Sequence, residues 1–265
     1  MKNRPFKTAV FLILFAVFMF SLFQVLKIYC DYKRVDDSYA ELQGKYVKVM
    51  EEDLLPLDTN SVTLKPEVTE EPFAGLDIDF AALLSRNSEV KGWLYCPDTV
   101  INYPVVQAKD NEKYLHGDID GEYLKSGTLF VDARNGALTD DLNYIIYGHN
   151  MKNGSMFGPL MKYKDPAYYE EHPLLYYFTP EGDYVLELFA GLVIDGDDPL
   201  YHLSAEQQEN FLALISEYRR RSTFASQVQI GRSDTIVTLS TCSYEREDAR
   251  YVVLARLTPF VIEEK

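Results

Sequence analysis

The strongest hydrophobic pattern in the chain lies near its start. From Thr8 to Leu26 (TAVFLILFAVFMFSLFQVL) no residue carries a charge, and a run of this length as a helix matches the ~20 residues that cross a bilayer core. Beyond it, Tyr39, Leu42, Tyr46 and Val49 recur at helical spacing within DDSYAELQGKYVKVMEED, which predicts a stalk helix despite Gly44. Residues 57–72 (LDTNSVTLKPEVTEEP) have no period and carry prolines and acids, the composition of an extended linker. Residues 77–88 (DIDFAALLSRNS) return to helical spacing through Ile78, Phe80, Leu83 and Leu84.

After that segment the texture changes. Short runs rich in Val, Ile, Tyr and Thr alternate with Gly, Pro, Asp and Asn: residues 127–132 (GTLFVD), 143–148 (NYIIYG), 184–194 (YVLELFAGLVI), 234–240 (DTIVTLS) and 251–257 (YVVLARL). These predict a mainly β domain, a barrel or a sandwich. One helix interrupts them, from Ala205 to about Arg219, with Phe211, Leu214, Ile215 and Tyr218 on one face. Ser204 with Gln207 forms a capping-box pattern at its start, and Arg219 to Arg221 suit the negative end of its dipole.

The apolar N-terminal run ends in Val25-Leu26-Lys27-Ile28-Tyr29, with bulky residues where a signal peptidase requires small ones, so it reads as an uncleaved anchor rather than a signal peptide. Lys2, Arg4 and Lys7 precede it and Lys27, Lys33 and Arg34 follow, so flanking charge does not orient it. With no second span in view, the expected organisation is a cytoplasmic tail (1–7), a transmembrane signal anchor (8–28), a stalk helix and linker (29–72), and an extracytoplasmic folded domain (73–265).

Composition narrows the function. The formal charge of −15 repels phosphate backbones and argues against nucleic acid as a partner. Cys30, Cys96 and Cys242 are far apart and form no C-x-x-C pair, so neither a disulfide framework nor a zinc knuckle is expected. Three thiols outside the cytoplasm leave at least one unpaired, and reactivity is one reason to keep it. Asp195-Gly-Asp-Asp198 is better read as an acidic turn than as a calcium loop, since the full EF-hand pattern is missing. No metal or cofactor is expected.

Two strand ends carry the candidate chemistry. Thr238-Leu-Ser-Thr-Cys242 places a thiol where the chain leaves an apolar run, and Tyr147-Gly-His149-Asn150 places an imidazole at the end of another. A thiol with an ordinary pKa of about 8.5 needs a base or a cation beside it to act as a nucleophile, and an imidazole supplies either while later returning a proton to a leaving amine. Arg250, eight positions after Cys242 and directly before the run YVVLARL, supplies a cation for the oxyanion that attack on an amide creates. Its alternative role is a surface pair with Glu245, Glu247 or Asp248. His116, His172 and His202 sit in no such context.

TLSTC followed by Arg250 and a V-x-A-R-L run, together with YGHN, resembles the sortase family. Residues 93–107 (WLYCPDTVINYPVVQ), 110–115 (DNEKYL), 127–134 (GTLFVDAR) and 147–157 (YGHNMKNGSMF) resemble class B sortases in order and spacing. The resemblance implies a closed β-barrel of about eight strands, with N-terminal helices and one helix inserted between late strands. It implies Cys242 as nucleophile, His149 as general acid/base and Arg250 as oxyanion and positioning group, with Asn111, Leu115, Tyr147 and Ser240 lining a peptide groove. The implied substrates are secreted proteins with a C-terminal sorting signal, cleaved after Thr and transferred to a peptidoglycan amine. Two other readings keep the same residues or discard their chemistry: a hydrolysing cysteine endopeptidase, and a non-catalytic surface scaffold on a membrane tether.

Overall fold

The computed structural model describes residues 4–49, 75–203, 210–243, 245 and 248–260. The chain divides into two compact units, residues 1–41 and 42–265. The first is the leading part of a single helix, α1 (Arg4–Tyr46), whose apolar side chains from Val10 to Tyr29 stand largely exposed. It is long and apolar enough to cross a membrane. The expected stalk helix is therefore continuous with the apolar run, and it stops at Tyr46. Val49, assigned by spacing to the helix, lies instead in β1 (Val47–Val49), which pairs antiparallel with β2 (Leu76–Ile78). The expected linker lies outside the described residues.

The helix expected over residues 77–88 is shorter. Ile78 belongs to β2, and α2 (Phe80–Arg86) begins only after Asp79, whose carboxylate accepts from Ala82 N at 2.9 Å. Asp79 is a good N-cap because its side chain satisfies an N–H that the first turn leaves unpaired.

The rest of the second unit is built on a closed eight-stranded barrel. Its strands in chain order are β3 (Val90–Tyr95), β4 (Asn102–Val106), β5 (Leu129–Val131), β6 (Asn143–Tyr147), β7 (Leu174–Thr179), β8 (Gly182–Asp195), β9 (Ile236–Cys242) and β10 (Ala249–Phe260). Around the barrel they run β10, β8, β7, β3, β4, β5, β6, β9, and β9 closes on β10. The expected β runs coincide with β5, β6, β8, β9 and β10. A short helix, α3 (Pro166–Glu171), precedes β7, and α4 (Phe211–Arg221) lies between β8 and β9 as expected. The described part of α4 starts at Phe211 and runs two residues past Arg219, and the Ser204–Gln207 capping pattern falls outside the described residues. Phe211, Ile215 and Tyr218 bury one face of α4 in a cluster with Phe189, Leu192, Ile194, Val252 and Leu254.

Two features of the barrel position chemistry. Strands β6 and β9 run parallel, with Tyr147 opposite Ser240, so their C-terminal ends reach the same rim. Strands β9 and β10 form an antiparallel pair in which Arg250 lies directly opposite Cys242.

Candidate active site

At that rim the chain after β6 is clamped onto β9. Gly148 N donates to Ser240 O (3.1 Å), Thr241 Oγ1 donates to Gly148 O (2.7 Å), and Asn150 Nδ2 donates to Cys242 O (3.1 Å). A β-carbon on Gly148 would lie 2.5 Å from Leu129 Cδ2 and 2.6 Å from Phe157 Cδ2, closer than real carbon contacts come. Glycine is thus required where the backbone presses against the core just before His149.

The clamp gathers the expected residues. His149, Cys242, Arg250, Asn111, Leu115, Tyr147 and Ser240 all line one cavity of ≈ 160 Å³, together with Thr128, Phe130, Gly148 and Thr241. Sequence reasoning passed over those last four, although each adjoins an expected residue or lies in the GTLFVD run. Strand alternation within that run is the signal that would have found Thr128 and Phe130.

The imidazole of His149 is half-buried, and its Nε2 lies 2.7 Å from Leu115 O. A carbonyl only accepts, so Nε2 carries the proton and the neutral ring offers Nδ1 as its acceptor. Burial lowers the His149 pKa below its ordinary 6.5; the bond to Leu115 partly opposes this, and the neighbouring His116 adds to it. His116, set aside on sequence grounds, stacks on the His149 ring with centroids 5.2 Å apart. Its only sequence signal is adjacency to Leu115.

Arg250 makes one of the surface pairs considered for it and also faces the cavity. Its Nη2 lies 2.9 Å from Asp248 Oδ1 and Nη1 donates to Ala249 O at 3.3 Å, while the side chain also lines the cavity. A guanidinium has five N–H donors, so these contacts fix its plane without exhausting it. The four residues expected to line a groove are likewise tied down. Asn111 Oδ1 accepts from Ala133 N (2.8 Å), Ser240 Oγ and Tyr201 OH share a bond of 2.8 Å, and Tyr147 OH donates to Asp132 Oδ2 (2.9 Å). Leu115 is 38% exposed, with its carbonyl engaged by His149. Asp198, part of the acidic turn, caps the turn Pro199–His202 by accepting from Leu200 N and also accepts from Tyr218 OH.

A half-buried thiol, an imidazole with a fixed tautomer and an anchored guanidinium around one small cleft are the groups that cysteine-dependent acyl transfer calls for. Comparison with known proteins agrees. The family model described as "Sortase domain" matches residues 94–258. Sortase B of Listeria monocytogenes is 35% identical over 76% of this chain and 82% of its own length, and Sortase B of Staphylococcus aureus is 27% identical over 97% and 98%. Among solved structures, sortase B from B. anthracis in complex with AAEK1 superposes with a TM-score of 0.70 at 31% identity, covering 88% of this chain and 100% of that one. The S. aureus sortase B-substrate complex gives 0.65 at 31% identity, over 69% and 85%. The chain belongs to the sortase family, whose members are cysteine transpeptidases, and its relatives here are sortase B proteins.

Proposed function

We propose that this sortase is held at the cell membrane by the apolar part of α1, with the residues before it cytoplasmic and the barrel outside, and that it attaches secreted proteins to the wall. Cys242 gives its proton to His149 Nδ1, and the thiolate attacks the carbonyl after the Thr of a C-terminal sorting signal. The tetrahedral oxyanion that forms is stabilised by Arg250. Collapse breaks the C–N bond as His149 returns the proton to the departing amine, leaving an acyl thioester on Cys242. An amine of a peptidoglycan precursor or cross-bridge then attacks the thioester, loses its proton to His149 and expels the thiolate, forming a new amide. Asn111, Leu115, Tyr147 and Ser240 hold the peptide in the cleft during both steps. That a relative was solved as a substrate complex supports a peptide groove on this fold.

The observation that carries this reading is the strand register. Parallel pairing of β6 with β9, and Arg250 facing Cys242 across β9 and β10, collect the three groups at one cavity. The full chain in detergent should convert peptides with threonine at the scissile position into amides when amines such as short glycine peptides are present. Free acid as the sole product under all amine conditions would instead identify a hydrolysing endopeptidase.

A further inference from the structure

We propose that Asp132 and Arg134 form a positioning unit for Tyr147 that makes one wall of the peptide groove apolar and sets the groove's shape for substrate. The inference rests on the assignment of Tyr147 to that groove. Asp132, directly after β5, is only 1% exposed, and a buried carboxylate is tolerable only when paired and fully hydrogen-bonded. Its Oδ1 accepts from Arg134 N (2.9 Å) and Arg134 Nε (2.9 Å), and its Oδ2 accepts from Arg134 Nη2 (2.7 Å) and Tyr147 OH (2.9 Å). These bonds fill the four acceptor sites of the carboxylate, so the phenol of Tyr147 completes the set.

The consequence falls on the groove. With its hydroxyl held by Asp132, Tyr147 offers the cleft its ring rather than a hydrogen-bonding group. The ring is also stacked on Tyr201, 6.2 Å between centroids, and Tyr201 OH bonds Ser240 Oγ, so two groove residues are braced from one side. The unused Nη1 of Arg134 bonds His202 Nδ1 at 3.0 Å, tying the pair to the turn that carries Tyr201. A second cavity of ≈ 260 Å³ has Asp132, Arg134, Tyr201 and His202 in its wall. Burial would raise the Asp132 carboxyl, but the hydrogen bonds from Arg134 and Tyr147 outweigh it and hold that carboxyl below the ordinary range.

The test uses the full chain in detergent and the labelled peptide that the wild-type chain cleaves fastest from a library with threonine at the scissile position. Binding is read by anisotropy in a Cys242→Ala background. Asp132→Asn and Tyr147→Phe should each weaken binding about tenfold, at the lower end of what losing a charge-assisted bond costs. The two together should be no worse than either alone, because both act through one contact. In Asp132→Asn with Cys242 retained, iodoacetamide should modify Cys242 at the wild-type rate. If Asp132→Asn does not fold, Tyr147→Phe, which keeps the ring, decides alone. Unchanged binding in the variants, or additive losses in the double variant, overturns the inference while wild-type turnover leaves the transpeptidase reading standing. Absence of wild-type turnover on every peptide overturns both.

Discussion

Cys96 and Cys242 place one side chain in two opposite settings. Cys96 follows β3 in the interior, 1% exposed, with its sulfur 3.8 Å from Leu174 O, and burial pushes its pKa up to about 11. Cys242 ends β9 at the rim, half-buried, with His149 and Arg250 in the walls of the same cleft. A thiol held apart from water and from cations stays protonated and packs as a small apolar group, whereas one at a strand end beside a base and a cation can be recruited as a nucleophile. The contrast teaches that place in the barrel, not residue type, sets how exposed a cysteine is and which groups stand beside it.

The comparison breaks most cleanly by exchanging the two fates. Cys242→Ala should lower peptide turnover by at least ~10³-fold, as loss of a covalent nucleophile does. Cys96→Ala should keep turnover within about twofold and instead cost about 1 kcal/mol of stability from the cavity it opens, read as a lower thermal midpoint. Comparable turnover losses in the two variants would erase the distinction. Next in size, Arg250→Lys should reduce kcat about 10²-fold or more, because an ammonium cannot reproduce a planar fork of donors at the oxyanion. Retention of wild-type kcat removes Arg250 from that role.

The clamp that brings His149 to the rim predicts a smaller, structural effect. Gly148→Ala drives a methyl into Leu129 and Phe157, and such overpacking typically costs about 1–3 kcal/mol. Melting curves should show that loss. The smallest effect is on pH dependence. His149 has a folded pKa below 6.5, so between that value and 6.5 the unfolded chain binds the proton more readily. Stability therefore rises with pH through this window and is lost as pH falls through the folded value. His149→Asn should flatten that part of the curve measured by urea unfolding. An unchanged slope would mean that the burial of His149 does not govern its protonation.

How much of this was legible in the sequence follows from how each element announces itself. Strands β6, β8, β9 and β10 read as apolar runs because they bury side chains on both faces for most of their length. Strands β3 and β4 did not, because Gly92 and Pro104 interrupt them. A β-carbon on Gly92 would lie 2.5 Å from Phe178 O, and Pro104 sits in the part of β4 that pairs with β3 but not yet with β5, where a missing N–H is harmless. Strand β7 (LLYYFT) follows the short helix α3 and was not separated from its surroundings. The end of α1 was misplaced at Val49 because helical spacing and strand alternation cannot be told apart over three residues, and the partner strand β2 lies far along the chain.

At the site, Cys242, His149 and Arg250, read from the motifs around strand ends, and Asn111, Leu115, Tyr147 and Ser240, implied by the family resemblance, all line one cleft. What stayed hidden was supported from behind: Asp132 on Tyr147, Tyr201 on Ser240 and His116 on His149. Each joins segments whose proximity exists only once the barrel closes, so no local pattern announces the pairing.

The claim on which the rest depends is that the thiol at the end of β9 carries the acyl group. Intact-mass and peptide-mapping spectrometry of the full chain, mixed with a cleavable peptide and quenched in acid before amine is added, tests it directly. The account predicts one acyl adduct on Cys242, none on Cys96, and discharge of that adduct on adding an amine. Turnover proceeding with no adduct on Cys242, or with the acyl group on another residue, would contradict it.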